Sequence, residues 1–408
     1  MGYLVKNVNI SVTLSLTSLR IFGFWLPEKL TDNQKSLYYC YGFLCFLFAL
    51  GSYIICQVVD LFQFWGNLPM MTATACLLFT NLAHFSKIVN LIVRRNLIQT
   101  IIDDAHLDLT SETSDQGKEF VKSCNFETKW IQIVYYLFTL VTLTGWAIAP
   151  AKGQLPFPSW YCIFRYPFDV TKSPAYEIAY SHQVIAVMIC GYLNVAKDTL
   201  AVSLIAQCHC RLKLLGLALR TILTKDTRKL HTRILLYSSK RRLTLEQETV
   251  VRTRLRVCVS RHQAALAAAQ QLQQAFSEPT FIQFVVSLVI ICVTAFQLVA
   301  VRYCMFVVHL WSMVFYLLNM MYQLFIYCYQ GNKLALESTA VSDAVYAVPW
   351  YACGVAVRRS LVVMSARSRR VALLTAGGFT PLSLHSFMAI MKASYSLFTL
   401  LQQVEERK

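Results

Sequence analysis

The stretch SLYYCYGFLCFLFALGSYIICQVV, residues 36–59, holds no Asp, Glu, Lys or Arg. About 20 mostly apolar residues carry a helix across the hydrocarbon of a bilayer while every backbone polar group is satisfied within the helix. The helix of a soluble protein shows one apolar stripe and a polar face; this stretch has no polar face. It is predicted to be a transmembrane helix, and it raises the question of how many more the chain contains.

Six further runs follow. They are 64–93, broken by Lys87 near its end; 130–149; 179–210, which holds Lys197 and Asp198 side by side; 279–301; 303–329, separated from the previous run by Arg302; and 374–403, polar for a membrane helix but mostly apolar. The fold class expected is all-α, a polytopic membrane protein with seven transmembrane helices. Composition agrees. Of 408 residues, 56% are apolar and 13% aromatic, and only 14% are charged, against about a quarter in a soluble domain. Disorder is excluded by the same figures. Lys and Arg outnumber Asp and Glu by 38 to 21, but a nucleic-acid binder with that surplus is rich in charge throughout, so no nucleic-acid partner is expected.

Placing the basic residues orients the chain. The N-terminal segment, the loops after spans two and four, and the stretch after span six hold 30 of the 38, counting Lys87 with its adjoining loop. The opposite flanks hold 6, and Lys197 and Lys392 lie within spans. The basic side marks the cytoplasm, so the N-terminus is expected inside and, after seven spans, the C-terminus outside. A G-protein-coupled receptor has the reverse orientation and carries Asp-Arg-Tyr after span three and Asn-Pro-x-x-Tyr in span seven; neither motif occurs here.

The remaining segments are read by composition. Residues 9–25 are expected to form an amphipathic helix lying in the interface. No cleavable signal is evident, and Lys6 stands where an N-myristoylation site needs Ser or Thr. The sequon Asn9-Ile10-Ser11 falls on the cytoplasmic side, where glycosylation is not expected. The loop between spans two and three, with Asp103-Asp104, is read as a solvated helix surface. Residues 211–274, with Lys240-Arg241-Arg242 and four further arginines between 252 and 261, are read as cytoplasmic extensions of spans four and five that also meet anionic lipid. Aromatics at 156–161 fit an interfacial belt or a lid over an outer cavity.

No chemistry of catalysis is visible. The 14 cysteines are scattered, most of them in apolar runs, and Cys208-His209-Cys210 has no second ligand pair at metal-site spacing. No Gly-rich phosphate loop, nucleophile elbow or His-Glu-x-x-His stretch occurs, and the eight histidines are dispersed. Neither an enzyme activity nor a metal or cofactor is expected. Lys197 and Asp198 diverge on their helix, and each is read as paired with a different neighbour or as functional. In span seven, His385, Ala389, Lys392, Ser396, Thr399 and Gln403 recur at steps of four and three and form one polar or small stripe. Such a stripe faces either a water-filled pore or a hydrogen-bonded helix interface.

The C-terminal seventy residues carry a specific pattern. Ser342-Asp343-Ala344-Val345-Tyr346 and Trp350 lead through Arg358-Arg359 and Arg367-Ser368-Arg369-Arg370 to Leu373-Leu374-Thr375-Ala376-Gly377-Gly378-Phe379-Thr380-Pro381-Leu382-Ser383-Leu384, then Phe387 and Lys392-Ala393-Ser394-Tyr395-Ser396. This resembles the C-terminal signature of insect odorant receptors, and Leu19-Arg20-Ile21-Phe22-Gly23-Phe24-Trp25 resembles the family's opening motif. One departure is visible. The family often has Gln and Pro around the basic pair, where this chain has Arg369 and Val371.

The resemblance implies a ligand-tuning subunit rather than the longer, shared co-receptor, whose insertion between spans four and five is missing. It implies a ligand-gated, non-selective cation channel, a heterotetramer with the odorant receptor co-receptor, in the plasma membrane of the olfactory sensory neuron dendrite. A small volatile odorant, membrane lipid and permeant cations are the partners implied. The implied organisation is a cytoplasmic or interfacial segment 1–35, spans one to four with an outer ligand pocket at 36–210, and a basic helical extension at 211–275. Spans five and six follow at 276–332, an anchor helix at 333–373, the pore-lining span at 374–404 and an outer tail at 405–408. Ligand contacts are expected among Met71, Thr74, Leu78, Thr139, Thr142, Trp146, Tyr180, Ile185, Met188, Phe296 and Gln297. Trp146 matches an aromatic of relatives' pockets, and ordinary helix packing is the competing reading for the others. Comparison with the co-receptor's final helix puts Leu400 and Val404 at a hydrophobic gate with Gln403 beside them, and Ser396 of the polar stripe is expected to line the same pore. A gustatory receptor channel of the same topology is the alternative, although its terminal Thr-Tyr and Gln-Phe pattern fails here. A secondary transporter using Lys197 and Asp198 is a more distant one.

Overall fold

The computed structural model describes residues 10–27, 30–63, 68–151, 174–222, 243–300 and 307–406. The readings at 1–9, 156–161, 240–242 and Arg302 lie outside the described residues. Helix α1 is Ile10–Ile21. The first span runs through α2 (Asp32–Phe46), a π-helical turn at Leu47–Gly51 and α3 (Ser52–Gln63). After it come α4 (Leu68–Val93), α5 (Arg95–Thr110), α6 (Asp115–Ala151), α7 (Ala175–Arg220), α8 (Leu245–Ala300) and α9 (Val307–Tyr346). A short turn at Trp350–Ala352 leads to α10 (Val355–Ser368), a hairpin of β1 (Thr375–Ala376) and β2 (Thr380–Pro381), and α11 (Leu384–Glu406).

Among the described residues, six stretches are long and apolar enough to cross a membrane: Asp32–Phe62, Thr74–Val93, Asp115–Ile148, Glu177–Arg220, Leu245–Val299 and Leu310–Ala352. The last helix, α11, is not among them. Its 23 residues still rise about 35 Å, enough for a seventh span. Helices α7 and α8 have 46 and 56 residues. At 1.5 Å per residue they are about 70 and 85 Å long, so each continues far beyond the hydrocarbon, as the composition of 211–274 suggests.

Helix α7 is the mast of the bundle. Residues 195–212 are buried on every side, so the helix carries no amphipathic period. Its polar members Lys197, Asp198, Thr199, Ser203, Gln207, His209 and Arg211 are all buried. Helix α1 packs its buried face against this mast and against α6. Its serines anchor that face. Ser15 Oγ meets Thr199 Oγ1 at 2.9 Å, and Gln132 Nε2 donates to Ser11 O at 3.1 Å. These small polar side chains share the buried face with Val12, Leu16 and Leu19 and let the helix dock closely, while Leu19 and Trp25 become core residues.

Two local features position the spans. The π turn redirects carbonyls out of the helical ladder, and neighbours take them up. Ser52 Oγ and His182 Nε2 reach Phe48 O at 2.7 and 3.3 Å, and Cys190 Sγ reaches Ala49 O at 3.3 Å. Inside α8, Pro279 has no N–H to give to Ala275 O. The Asn90 amide of α4 donates to that carbonyl at 2.9 Å, and Arg94 pairs with Glu278 at 2.7 Å, so α4 is docked at the proline.

The glycine-rich signature before the last helix is a hairpin, and α11 begins at Leu384, not at residue 374. Gly377 and Gly378 adopt φ of 62° and 80°, a region costly for residues with a Cβ. Gln273 of α8 fixes the hairpin from both sides. Its Nε2 donates to Thr375 O at 2.9 Å, and its Oε1 accepts from Thr375 N at 2.7 Å. Gly377 N donates to Ser277 O at 3.0 Å.

Candidate functional site

Between α3, α4, α6, α7 and α9 lies a cavity of about 90 Å³. A water needs about 10–15 Å³ on this measure, so the space admits several waters or one small organic molecule. Trp146 and Tyr316 form one wall, with ring centroids 5.1 Å apart, and the Thr80 and Tyr316 hydroxyls meet at 3.0 Å. Leu77, Leu143, Val187, Val195 and Met320 supply apolar lining. Asn81, His84, Asn194 and Asn319 supply polar groups.

Three residues expected at the ligand, Thr139, Thr142 and Trp146, line this cavity together. The other eight do not line it. Met71 is half-buried, and Thr74 and Leu78 are buried elsewhere on α4. The Tyr180 hydroxyl donates to Ala147 O. Ile185 is 50% exposed, Met188 is half-buried, and Phe296 and Gln297 are buried in α8. Sequence reasoning passed over Asn81, His84 and Asn194. Their signal was present: each is a polar residue inside an apolar run, and lipid tolerates such groups only where they face protein or a cavity.

Adjoining the cavity is a buried ionic cluster. Asp198 accepts from Lys87 Nζ at 2.6 Å, Tyr135 Oη at 3.0 Å, Tyr327 Oη at 2.9 Å and the Gln323 amide. Gln283 donates to Gln323 Oε1 at 2.9 Å, which extends the network to α8. Lys197 turns the other way and donates to His84 O at 3.3 Å, so the two adjacent charges have separate partners. A buried carboxylate is tolerable only with this density of donors and a countercharge. Lys87 Nζ also donates to Asn194 Oδ1 at 3.2 Å, which joins the cluster to a cavity residue.

The last helix presents two faces. Ser386 and Ser394 are buried, and Ser394 Oγ donates to Leu288 O of α8 at 3.2 Å. His385, Ala389, Lys392, Ser396, Leu400 and Gln403 are exposed, and Thr399 is half-buried beside them. Ser396 Oγ donates to Lys392 O at 3.1 Å. Val404 belongs to α11, and its side chain lies outside the described residues. The polar stripe therefore faces away from the protomer.

The sequence model described as 7tm Odorant receptor matches residues 67–395. The chain belongs to this odorant receptor family. It is 22% identical to Odorant receptor Or1 of Anopheles gambiae, over 97% of this chain and 95% of that one. With Odorant receptor 94a of Drosophila melanogaster it shares 22% identity over 97% of each chain. The structure of the insect olfactory receptor OR5 from Machilis hrabei in complex with eugenol superimposes with a TM-score of 0.82 at 17% identity, covering 98% of this chain and 99% of that one. The odorant receptor fold thus includes the short hairpin and α11 as well as the six apolar spans, and the odorant receptor is a multi-pass membrane protein.

Just before the apolar run 130–149 of this odorant receptor, Glu127 bonds Lys333 and accepts from Tyr329 Oη at 2.9 Å, tying α6 to α9. Burial raises the Glu127 carboxyl, but the hydrogen bonds from Lys333 and Tyr329 together outweigh it and hold the group below its ordinary value.

Proposed function

We propose that this odorant receptor is the ligand-tuning subunit of a ligand-gated, non-selective cation channel, opened by a small, mostly apolar volatile in the outer cavity. The observation that carries this reading is the exposed stripe of α11. A single copy leaves His385, Lys392, Ser396 and Gln403 exposed outside its own bundle. Polar groups along a spanning helix are tolerated where they face water or protein, and a central pore surrounded by four such helices supplies the water. Leu400, 56% exposed on the same face, with Gln403 beside it and Val404 a turn further on, form the gate, since an apolar ring closes a pore by dewetting. Lys392 sits deeper in the helix, and its long stem lets the ammonium snorkel to other polar partners.

The partner is the odorant receptor co-receptor in a heterotetramer. The exposed basic and apolar surfaces of α10 and the outer side of the α8 extension are the contacts between subunits. Thr139, Thr142 and Trp146 are the ligand contacts this reading backs first, and the other eight predicted residues shape the surrounding helices. The basic flanks support a cytosolic N-terminus, and the resemblance supports the plasma membrane. Opening requires the odorant to bind the open state more tightly than the closed one.

Cells expressing the receptor with the co-receptor are expected to give odorant-evoked cation current, and cells expressing the receptor alone are not. Current evoked from the receptor alone would favour a self-sufficient channel of the gustatory type. Substrate uptake without current would favour a transporter.

A further inference from the structure

Lys87, Lys197 and Asp198 line a second, smaller cavity of about 20 Å³ between α4, α7, α8 and α9. A water needs about 10–15 Å³ on this measure, so the space takes one particle the size of a water or a monatomic ion. It shares no lining residue with the outer cavity. The charges around it do not balance. Asp198 is the one carboxylate beside two buried lysines, and among the described residues it forms its ion pair with Lys87. Its oxygens already accept from Lys87, Tyr327, Tyr135 and Gln323, which fills the lone pairs of a carboxylate. Lys197 is 6% exposed, and its ammonium has one acceptor, His84 O at 3.3 Å. An ammonium has three donors, so Lys197 keeps two that lack an acceptor, and Lys87, bonded to Asp198 and Asn194, keeps one. A buried charge is costly unless it is paired and hydrogen-bonded.

We propose that this cavity is a halide site, in which a chloride ion accepts from Lys87 and Lys197 and cancels the surplus charge. A water would supply lone pairs but no charge. Sulfate, phosphate and organic carboxylates are too large for a space of this size. Asn90 and Thr280 also line the cavity, but the Asn90 amide donates to Ala275 O and the Thr280 hydroxyl to Phe276 O. The Tyr327 hydroxyl is likewise taken up by Asp198. The two ammonium groups are therefore the donors that a ligand meets, and they select an anion. An ion held by both bridges α4 to α7 beside the ionic cluster.

The test uses the purified full-length receptor, with sodium chloride replaced stepwise by sodium gluconate at constant ionic strength. Chloride and bromide are expected to raise the melting temperature along a saturating curve, by on the order of 3 °C at a hundredfold excess over Kd, and sulfate is not. Lys197→Met removes the surplus charge. It is expected to melt at or above the wild type in gluconate and to lose the chloride response, and Lys197→Gln is expected to lose that response as well. Equal melting of the wild type in chloride and gluconate, which a neutral Lys197 amine or a bound water would give, would overturn the proposal. So would a chloride response that survives in Lys197→Met. Should neither variant melt cooperatively, equilibrium dialysis of the wild type with radioactive chloride decides. Saturable binding of one ion per chain, displaced by bromide but not by sulfate, supports the site, and the lack of such binding overturns it.

Discussion

Asp198 is fully buried on the mast helix, with one countercharge and three neutral donors around it. Lys87→Met removes the countercharge and leaves the carboxylate buried, which is expected to cost about 3–5 kcal/mol. The melting temperature of the purified receptor checks this, and Asp198→Asn in the same background is expected to recover part of the loss. The pair Glu127–Lys333 is half-exposed and weaker, worth less than about 1 kcal/mol after solvent screening. Its pH dependence has a definite sign. Because the folded carboxyl lies below its unfolded value, the contribution is complete above about pH 5 and disappears as pH falls through the folded value. Wild type and Lys333→Met melting curves are therefore expected to converge in acid and to separate near neutrality. At this scale the sequence was only partly legible. Lys197 and Asp198 stand out in any reading, but their partners come from residues 63 to 129 positions away along the chain, and no local pattern encodes them.

Among the elements, α11 and its hairpin carry the functional argument. Gly377 has φ of 62°, and a Cβ there would meet the Phe281 ring at 2.8 Å. Gly377→Ala is expected to destabilise the hairpin by about 1–3 kcal/mol and to loosen the start of α11. A fall in melting temperature, together with weaker hydrogen-exchange protection at residues 384–390, would show it. Asn90→Leu is expected to leave Ala275 O without its donor beside Pro279, a cost of about 1–3 kcal/mol measured in the same way. The spans themselves were legible because lipid imposes a minimum length and internal hydrogen bonding. The hairpin was not, since Leu374 to Leu384 is apolar enough to continue a helix, and only the paired glycines and Pro381 argue otherwise. What covers helix α1 was illegible for a related reason. Its composition records an apolar face but not what covers it, and Ser11 and Ser15 acquire meaning only beside Thr199 and Gln132.

At the scale of the whole molecule, a protomer buries one face of α11 against α8 and α9 and leaves the polar face open. The cavity reaches Asp198 through Lys87 and Asn194, and Asp198 reaches α8 through Gln323 and Gln283. Helix α8 in turn holds Ser394 of α11. A ligand that shifts α4 against α7 thus has packed, hydrogen-bonded elements through which to bias the last helix. The most direct measurement compares cysteine substitutions at two small positions on that helix, two residues apart, in cells co-expressing the co-receptor and exposed to a charged, water-soluble thiol reagent. Ser396→Cys is expected to be modified while odorant is present and to lose current, whereas Ser394→Cys, buried against Leu288, is expected to be unaffected. Equal protection of both positions in the open channel would contradict a pore lined by this helix.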